Sequence, residues 1–455
     1  MRSGAVLPRT DNERAAVSSV DQISSASSRP AWLTDTYPKL VDHYVDRLAI
    51  GWRRRPALLA RPAWDFLDLA TFDDRLSAAM EALRVSEAPA RTHLYGLLNE
   101  DTVRPGALFA VALYALTVND SPMWDACESL SVAVPALRLP LFDALEWAPP
   151  SALLKTSIDR LPLVDRLRLV GLRYHDFDGI GESALADLQT RLDPEPDEIR
   201  AALQLLSHLG RADLAPAAQP YLRHGAPHVR LEAARILLLL ATADHAPMAV
   251  EVLMALASDA DPELAEAATR CLVAHAPQST DEVLAMLDGP ATLRLRVKAS
   301  GWSGRLAQVP TLMAHLGNRA TARLAGTALT WITGLDPDLH GWHAPKPSMP
   351  SSDAVDGDDR LPASDPDKPL AWPDADAFTR WWHRAGSTFD AGSRHFLGAP
   401  LTAHWLAVVM TSGPLPFRHL AAEHWQRMTH GPLFPTNLPA HAQRARFAGF
   451  FGEAS

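Results

Sequence analysis

Pro227-His-Val-Arg230-Leu-Glu-Ala-Ala-Arg-Ile-Leu237 is echoed upstream by Pro196-Asp-Glu-Ile-Arg200-Ala-Ala-Leu-Gln-Leu-Leu206. It is echoed downstream by Asp261-Pro-Glu-Leu264-Ala-Glu-Ala-Ala268-Thr-Arg-Cys-Leu272. Looser copies stand at Leu295-Arg-Val-Lys-Ala-Ser300 and Ala322-Arg-Leu-Ala-Gly-Thr-Ala-Leu329. Aligning Ile199, Val229, Leu264, Leu295 and Ala322 gives steps of 30, 35, 31 and 27 residues. A unit this short cannot bury its own apolar face, so the period predicts helix pairs stacked side by side into an α-solenoid.

Helices are expected at 157–174, 181–192 and 197–209. Pairs follow at 213–223 with 228–241, 246–257 with 261–275, 280–287 with 291–303, and 305–316 with 319–333. Gly210, Gly225, Asp259-Ala-Asp-Pro262, Gly289-Pro290 and Gly317 punctuate them. Ala233, Ala234, Ala267, Ala268, Ala299 and Gly326 supply small residues where neighbouring helices must approach.

Upstream, residues 1–29 are rich in Ser and poor in bulky apolar groups, which predicts a mobile tail. Leu40, Val41, Tyr44, Val45, Leu48 and Trp52 then mark an amphipathic helix ending near Arg53-Arg54-Arg55-Pro56. Those cations suit a helix C-terminus and read as solvated. Apolar residues at 69, 72, 76, 80 and 83 mark a second helix, with Thr71 or Asp73 as its cap. Further helices are expected at 90–99, 105–118 and 121–133. Pro135 and Pro140 make the stretch 132–142 another helix rather than a central strand.

His43-Tyr-Val-Asp-Arg-Leu-Ala-Ile-Gly-Trp52, followed by Asp68-Leu-Ala-Thr-Phe-Asp73-Asp-Arg75-Leu76-Ser-Ala-Ala-Met-Glu-Ala-Leu83-Arg84, resembles the opening of an uncharacterised proteobacterial family of HEAT-repeat proteins. There His-x-x-Glu-x-Ala-x-x-Trp leads into Asp-Leu-x-x-Leu-Asp-x-Arg-Leu and a later Leu-Arg; here Phe72 stands where Leu is usual. Trp381-Trp382 and Arg394-His-Phe-Leu397-Gly398-Ala-Pro400 resemble the end of the same family. The resemblance implies HEAT-type repeats and no assigned catalytic residues. It also implies a gene neighbourhood that often includes type VI secretion and PAAR-like effector genes.

Beyond Gly334, residues 336–374 concentrate Pro and Asp, the composition of an acidic linker. Order returns in helices near 378–384, 402–410 and 415–429, the last being the final helix expected. Six of 13 Trp lie beyond residue 339, which sets this end apart from the repeats as an aromatic cap. The expected organisation is a tail (1–29), an N-terminal helical module (30–150), a HEAT-type α-solenoid (151–335), a linker (336–374) and a C-terminal helical module (375–455), all-α throughout.

A net charge of −10 over 455 residues argues against nucleic acid as partner. An alkylated-base glycosylase using Trp302, Trp331 and Asp336 conflicts with the same acidity. Two cysteines form no disulfide framework, and the most apolar run, 236–243, is short of a membrane span. The expectation is a cytoplasmic protein. No Gly-x-Ser-x-Gly, phosphate loop or dinucleotide fingerprint is present. His419, His424 and His430 stand five and six residues apart, off the i, i+4 spacing of a helical zinc pair, so no metal or cofactor is expected.

The expected function is binding of another protein along the solenoid, as a scaffold or adaptor. Arg200, Arg230 and Arg323 on the second helices, and Trp382, Arg384 and Arg394 in the last module, are the candidate contacts. The competing reading makes those arginines a structural ladder with Asp197 and Asp261. Two alternatives remain: an enzyme joining His395, Arg394 or Asp390 to an acidic partner at the solenoid junction, and a type VI secretion-associated accessory protein or effector.

Overall fold

Proline occupies the first or second helical position of α9 (Pro196–Leu209), α10 (Pro227–Leu239) and α12 (Pro262–His275). Its missing N–H is one of four that no helix satisfies at its start, so the residue sets φ at no loss. The computed structural model describes residues 31–173, 194–240, 245–337, 339–344 and 367–451. The expected tail, the helix at 181–192 and linker residues 345–366 lie outside the described residues.

The chain is all-helical. The only strands among the described residues are the two-residue β1 (His395–Phe396) and β2 (Ala399–Pro400), paired antiparallel. Ahead of the three proline-led helices come α1 (Ala31–Leu59), α2 (Phe66–Val85), α3 (Glu87–Leu98), α4 (Pro105–Val118), α5 (Ser121–Ala133), α6 (Arg138–Trp147), α7 (Ala152–Arg160) and α8 (Leu163–Arg173). Among and after them lie α11 (Ala246–Leu256), α13 (Thr280–Met286), α14 (Leu293–Trp302), α15 (Val309–His315) and α16 (Ala322–Thr333). The chain finishes with α17 (Ala375–Ala385), α18 (Ala403–Ser412), α19 (Leu415–Thr429) and α20 (Ala440–Phe451). No described helix is long and apolar enough to cross a membrane.

Ten consecutive side chains of α4, Ala107 to Leu116, are buried, and α1, α5 and α6 pack around it. In the centre α8, α9, α10, α12, α14 and α16 each pack on the next. The 3-10 turn Ala215–Arg223 and the short α11, α13 and α15 lie against them. One apolar cluster runs unbroken from Val41 through Leu94, Ile199 and Leu272 to Phe434, so N-terminal, central and C-terminal helices share a core.

Four local expectations change. Helix α1 does not stop at Arg53 but continues through Pro56 to Leu59. Arg53 and Arg54 are exposed, whereas Arg55 is buried. It donates to both carboxylate oxygens of Asp73, at 3.0 and 3.1 Å, and to the Asn437 and Leu438 carbonyls, each at 2.8 Å. Asp73 is therefore no cap. The cap of α2 is Asp65, which accepts from the N–H groups of Leu67 and Asp68 while the Asp68 side chain accepts from its own N–H. Finally, α20 follows α19 and packs on α2, so the chain's end returns to its beginning.

The C-terminal segment docks by satisfying helix ends. The last carbonyls of a helix have no intrahelical donor. Ser207 O at the end of α9 accepts from Leu433 N at 3.1 Å and Gln426 Nε2 at 2.6 Å. The Val273 and Ala274 carbonyls of α12 accept from Arg394, as does Ser303 O after α14. Trp331 O and Ile332 O of α16 accept from Leu397 N and Gly398 N. Helices α19, α10 and α12 are thereby held together across the sequence.

Candidate functional site

Where α19 crosses the inner helices the fit is incomplete, and a cavity of 370 Å³ remains. Gln204 and His208 enter it from α9, Glu232 and Arg235 from α10, Arg270 and Cys271 from α12, and His419 and Glu423 from α19. Leu433 to Asn437 close it on the side next to α19. Each contributing pair sits three or four residues apart on its helix, or side by side on α12, so one face serves the cavity.

Arg235 organises the polar wall. Its guanidinium donates to Glu232, with Nε at 2.9 Å, and through Nη1 to Glu423 at 3.2 Å. Burial by itself would lower its pKa, but the two carboxylates override that and raise it. Glu423 is 3% exposed and takes His275 Nε2 at 3.4 Å on its other oxygen. Burial opposes its charge, yet the His275 hydrogen bond and the surrounding cations hold its carboxyl well below the usual range. His275 must donate through Nε2 to meet a carboxylate. That leaves Nδ1 as the bare nitrogen, and Nδ1 has no partner. The His424 ring packs edge-on against it at 5.1 Å.

Several polar groups around this triad are uncommitted. Arg270 makes no hydrogen bond or ion pair with any described residue, although its charge is felt by Glu423 and His419. His208 Nδ1 and Thr436 Oγ1 are buried atoms without a partner, and both residues line the cavity. The His208 ring lies against Gly171 of α8, where a Cβ would stand 3.0 Å from it, and burial lowers its pKa to about 3. Burial pushes the Cys271 thiol up to about 12, so it lines the wall as a small apolar group rather than a nucleophile. Leu172, Leu231, Leu433 and Phe434 supply the apolar part of the lining.

The residues singled out from sequence lie elsewhere. Arg200 pairs with Asp197 one turn back at 3.0 Å, Arg230 donates to the His224 and Gly225 carbonyls, and Arg323 lies 4.7 Å over the Trp372 ring. Asp261 does not join the ladder; it caps α12 by accepting from Glu263 N. Arg394 is spent on three helix-end carbonyls, and burial lowers its pKa to about 10, still a cation at neutral pH. Trp382 packs with Trp381 and Phe389, and Arg384 is exposed. Asp390 accepts from Ser393, and His395 Nδ1 meets the Ser393 carbonyl; neither residue lines the cavity. Among the described residues no three His, Cys, Asp or Glu side chains converge for a metal ion.

Sequence reading missed Arg235, Arg270 and Glu423. A signal existed, since Arg235 and Arg270 each stand six residues after the aligned Val229 and Leu264. No family model matches the chain, and no curated protein matches it either.

Four titratable groups where α19 meets the inner helices predict acid sensitivity. His208, His275 and His424 are all held below the ordinary histidine value by burial, and Glu423 below the ordinary carboxylate value. In each case the unfolded chain binds protons more readily, so the stability is present at neutral pH; the histidine part falls as pH drops below about 6.5, and the Glu423 part only below about 4.5. His208 alone removes about 1.4 kcal/mol for each further unit of acid until its folded value is reached. Glu146 runs the other way. Burial raises its carboxyl to about 7, so its contribution is present below the ordinary carboxylate value and lost as pH rises through 7. His419, with 44% of its side chain exposed, adds little. Thermal unfolding recorded from about pH 7 to pH 5 should show a falling midpoint, steeper than in His208→Leu. Equal slopes in the wild type and His208→Leu would remove the neutral-histidine account at that residue.

Proposed function

We propose that this protein is a HEAT-type α-solenoid that works by recognition, and that the cavity between its inner helices and its own C-terminal module is a small-molecule binding site. The observation that carries the reading is the polar wall itself. Arg270 lines a 370 Å³ space with its guanidinium unpaired by any described residue, beside Arg235, Glu232 and Glu423, which are paired with one another. An uncommitted guanidinium in a cavity wall is a charge that a ligand of opposite sign can pair. The succession of inner helices supports the repeat reading, and the high thiol pKa of Cys271 weighs against covalent chemistry there.

A second reading, the scaffold for another protein, draws support from a different place. Val132, Val134 and Leu139 are exposed together at the corner of α5 and α6, and clustered apolar exposure marks contact surfaces. Native mass spectrometry of the full chain purified gently from its own cell separates the two. Ala267 of α12 lines the cavity, and a small-molecule adduct that disappears in the filling variant Ala267→Phe supports the ligand site. A protein partner retained by Ala267→Phe and lost in Val132→Asp supports the scaffold. The bare chain in every sample counts against both.

A further inference from the structure

We infer that the cavity takes a small monocarboxylate with an apolar body, its carboxylate held by Arg270. This inference rests on reading the cavity as a ligand site, and it names the class of molecule.

Charge comes first. Of the cavity's two cations, Arg235 already lies between Glu232 and Glu423, and its donors are engaged. Arg270 lines the same space with its guanidinium unmatched by any described hydrogen bond or ion pair. A planar fork of N–H donors at a half-dry wall is suited to one carboxylate. A phosphate dianion is a poorer occupant, because it would bring two negative charges beside two fixed carboxylates with a single uncommitted cation to balance them. A cationic ligand is poorer still. The acidic side chains that would hold it already receive Arg235, His275 and Gln204.

Neutral lining groups reinforce the choice. Thr436, 4% exposed, and His208, held neutral at physiological pH by burial, line the cavity without adding a second free cation that would favour a dianion. The remaining wall, Leu172, Leu231, Leu433 and Phe434, offers hydrocarbon to the rest of the ligand, which a small hydrated ion would leave unused.

The test uses the full chain and four probes of matched size where chemistry allows: hexanoate, hexanamide, hexylammonium and inorganic phosphate. Binding is measured by titration calorimetry at neutral pH on the wild type, Arg270→Gln, Arg270→Lys and Ala267→Phe, each checked for an unchanged melting temperature. Hexanoate is expected to bind in preference to the other three. Arg270→Gln should weaken it at least tenfold, Arg270→Lys less, and Ala267→Phe should abolish it. Tighter binding of hexanamide, hexylammonium or phosphate, sensitive to Ala267→Phe, overturns the monocarboxylate while sparing the cavity as a site. Hexanoate binding that survives Arg270→Gln unchanged overturns the assignment of Arg270. If no probe binds, an adduct that co-purifies and is lost in Ala267→Phe keeps the site but overturns the class. Absence of that adduct as well overturns both.

Discussion

Asp73→Asn should destabilise the folded chain by about 3–5 kcal/mol, because it removes one charge of a buried pair and strands the other. The Asp73 carboxylate, 1% exposed, receives Arg55 through both of its oxygens and the Ala440 N–H at 2.8 Å. Asparagine presents a single acceptor oxygen, and its NH2 faces groups that are themselves donors. The guanidinium of Arg55 would then be left with only the Asn437 and Leu438 carbonyls in a buried setting. The effect should be directional. Arg55 and Asp73 belong to α1 and α2, but the carbonyls and the N–H they hold belong to residues 437–440, next to the cavity wall. Amide exchange should therefore rise first in 437–451 and only later in α4. The double variant Arg55→Met with Asp73→Leu should recover part of the loss, since an apolar pair removes the stranded charge while leaving the Asn437 carbonyl and the Ala440 N–H unpaired. A change below about 1 kcal/mol in Asp73→Asn would mean that water reaches the pair and that the N- and C-terminal ends are not joined there.

The helices of the centre were legible because punctuation and periodicity agreed. Pro196, Pro227 and Pro262 sit where the structure begins α9, α10 and α12, and Gly210 sits where α9 ends. The reading failed where tertiary contacts override local signals. Arg53-Arg54-Arg55-Pro56 reads as a helix stop, but Leu58 and Arg55 are buried and hold the last turn of α1 in place despite the proline. Helix α20 escaped notice because its inward positions, Ala440, Gln443 and Arg446, show no apolar stripe. Gln443 is nevertheless satisfied there, donating to the Thr436 and Leu438 carbonyls and accepting from Arg418 at 2.6 Å. The cavity was hidden for a different reason. Arg235 and Glu423 meet across 188 residues, and the short segments that bring them together, around 394–398 and 426–433, dock on backbone carbonyls at helix ends, acceptors that carry no side-chain signature. The arginines visible at the starts of the second helices are engaged by Asp197, the His224 and Gly225 carbonyls and the Trp372 ring, while the ones that line the cavity lie a turn or more further along.

Gly210→Val should have the other large effect, and it tests whether the C-terminal clasp builds the cavity. Gly210 closes α9 with φ +63°, a left-handed conformation that a β-branched residue adopts at a cost of roughly 1–2 kcal/mol. A Cβ there would also stand 2.5 Å from the Gly431 carbonyl carbon and closer still to Pro432 N, so backbone has to move. What moves is the segment that carries Leu433 onto Ser207 O. The reciprocal pair beside it, Ser207 Oγ donating to Gln426 at 2.8 Å and Gln426 donating to Ser207 O, should break with it. Strain and lost contacts together predict destabilisation of about 3 kcal/mol or more. They also predict faster exchange and easier proteolysis at residues 431–437, of which 433–437 line the same cavity as Arg270. Gly225→Ala is the matched control. A Cβ at Gly225 meets nothing within 4 Å and the backbone is not left-handed, so that substitution should leave both stability and exchange unchanged. If Gly210→Val lowered stability yet left 431–437 as protected as in the wild type, the end of α9 would carry strain alone. The cavity wall would then have to be held by Arg55 and the α2–α20 contact rather than by the clasp on the inner helices.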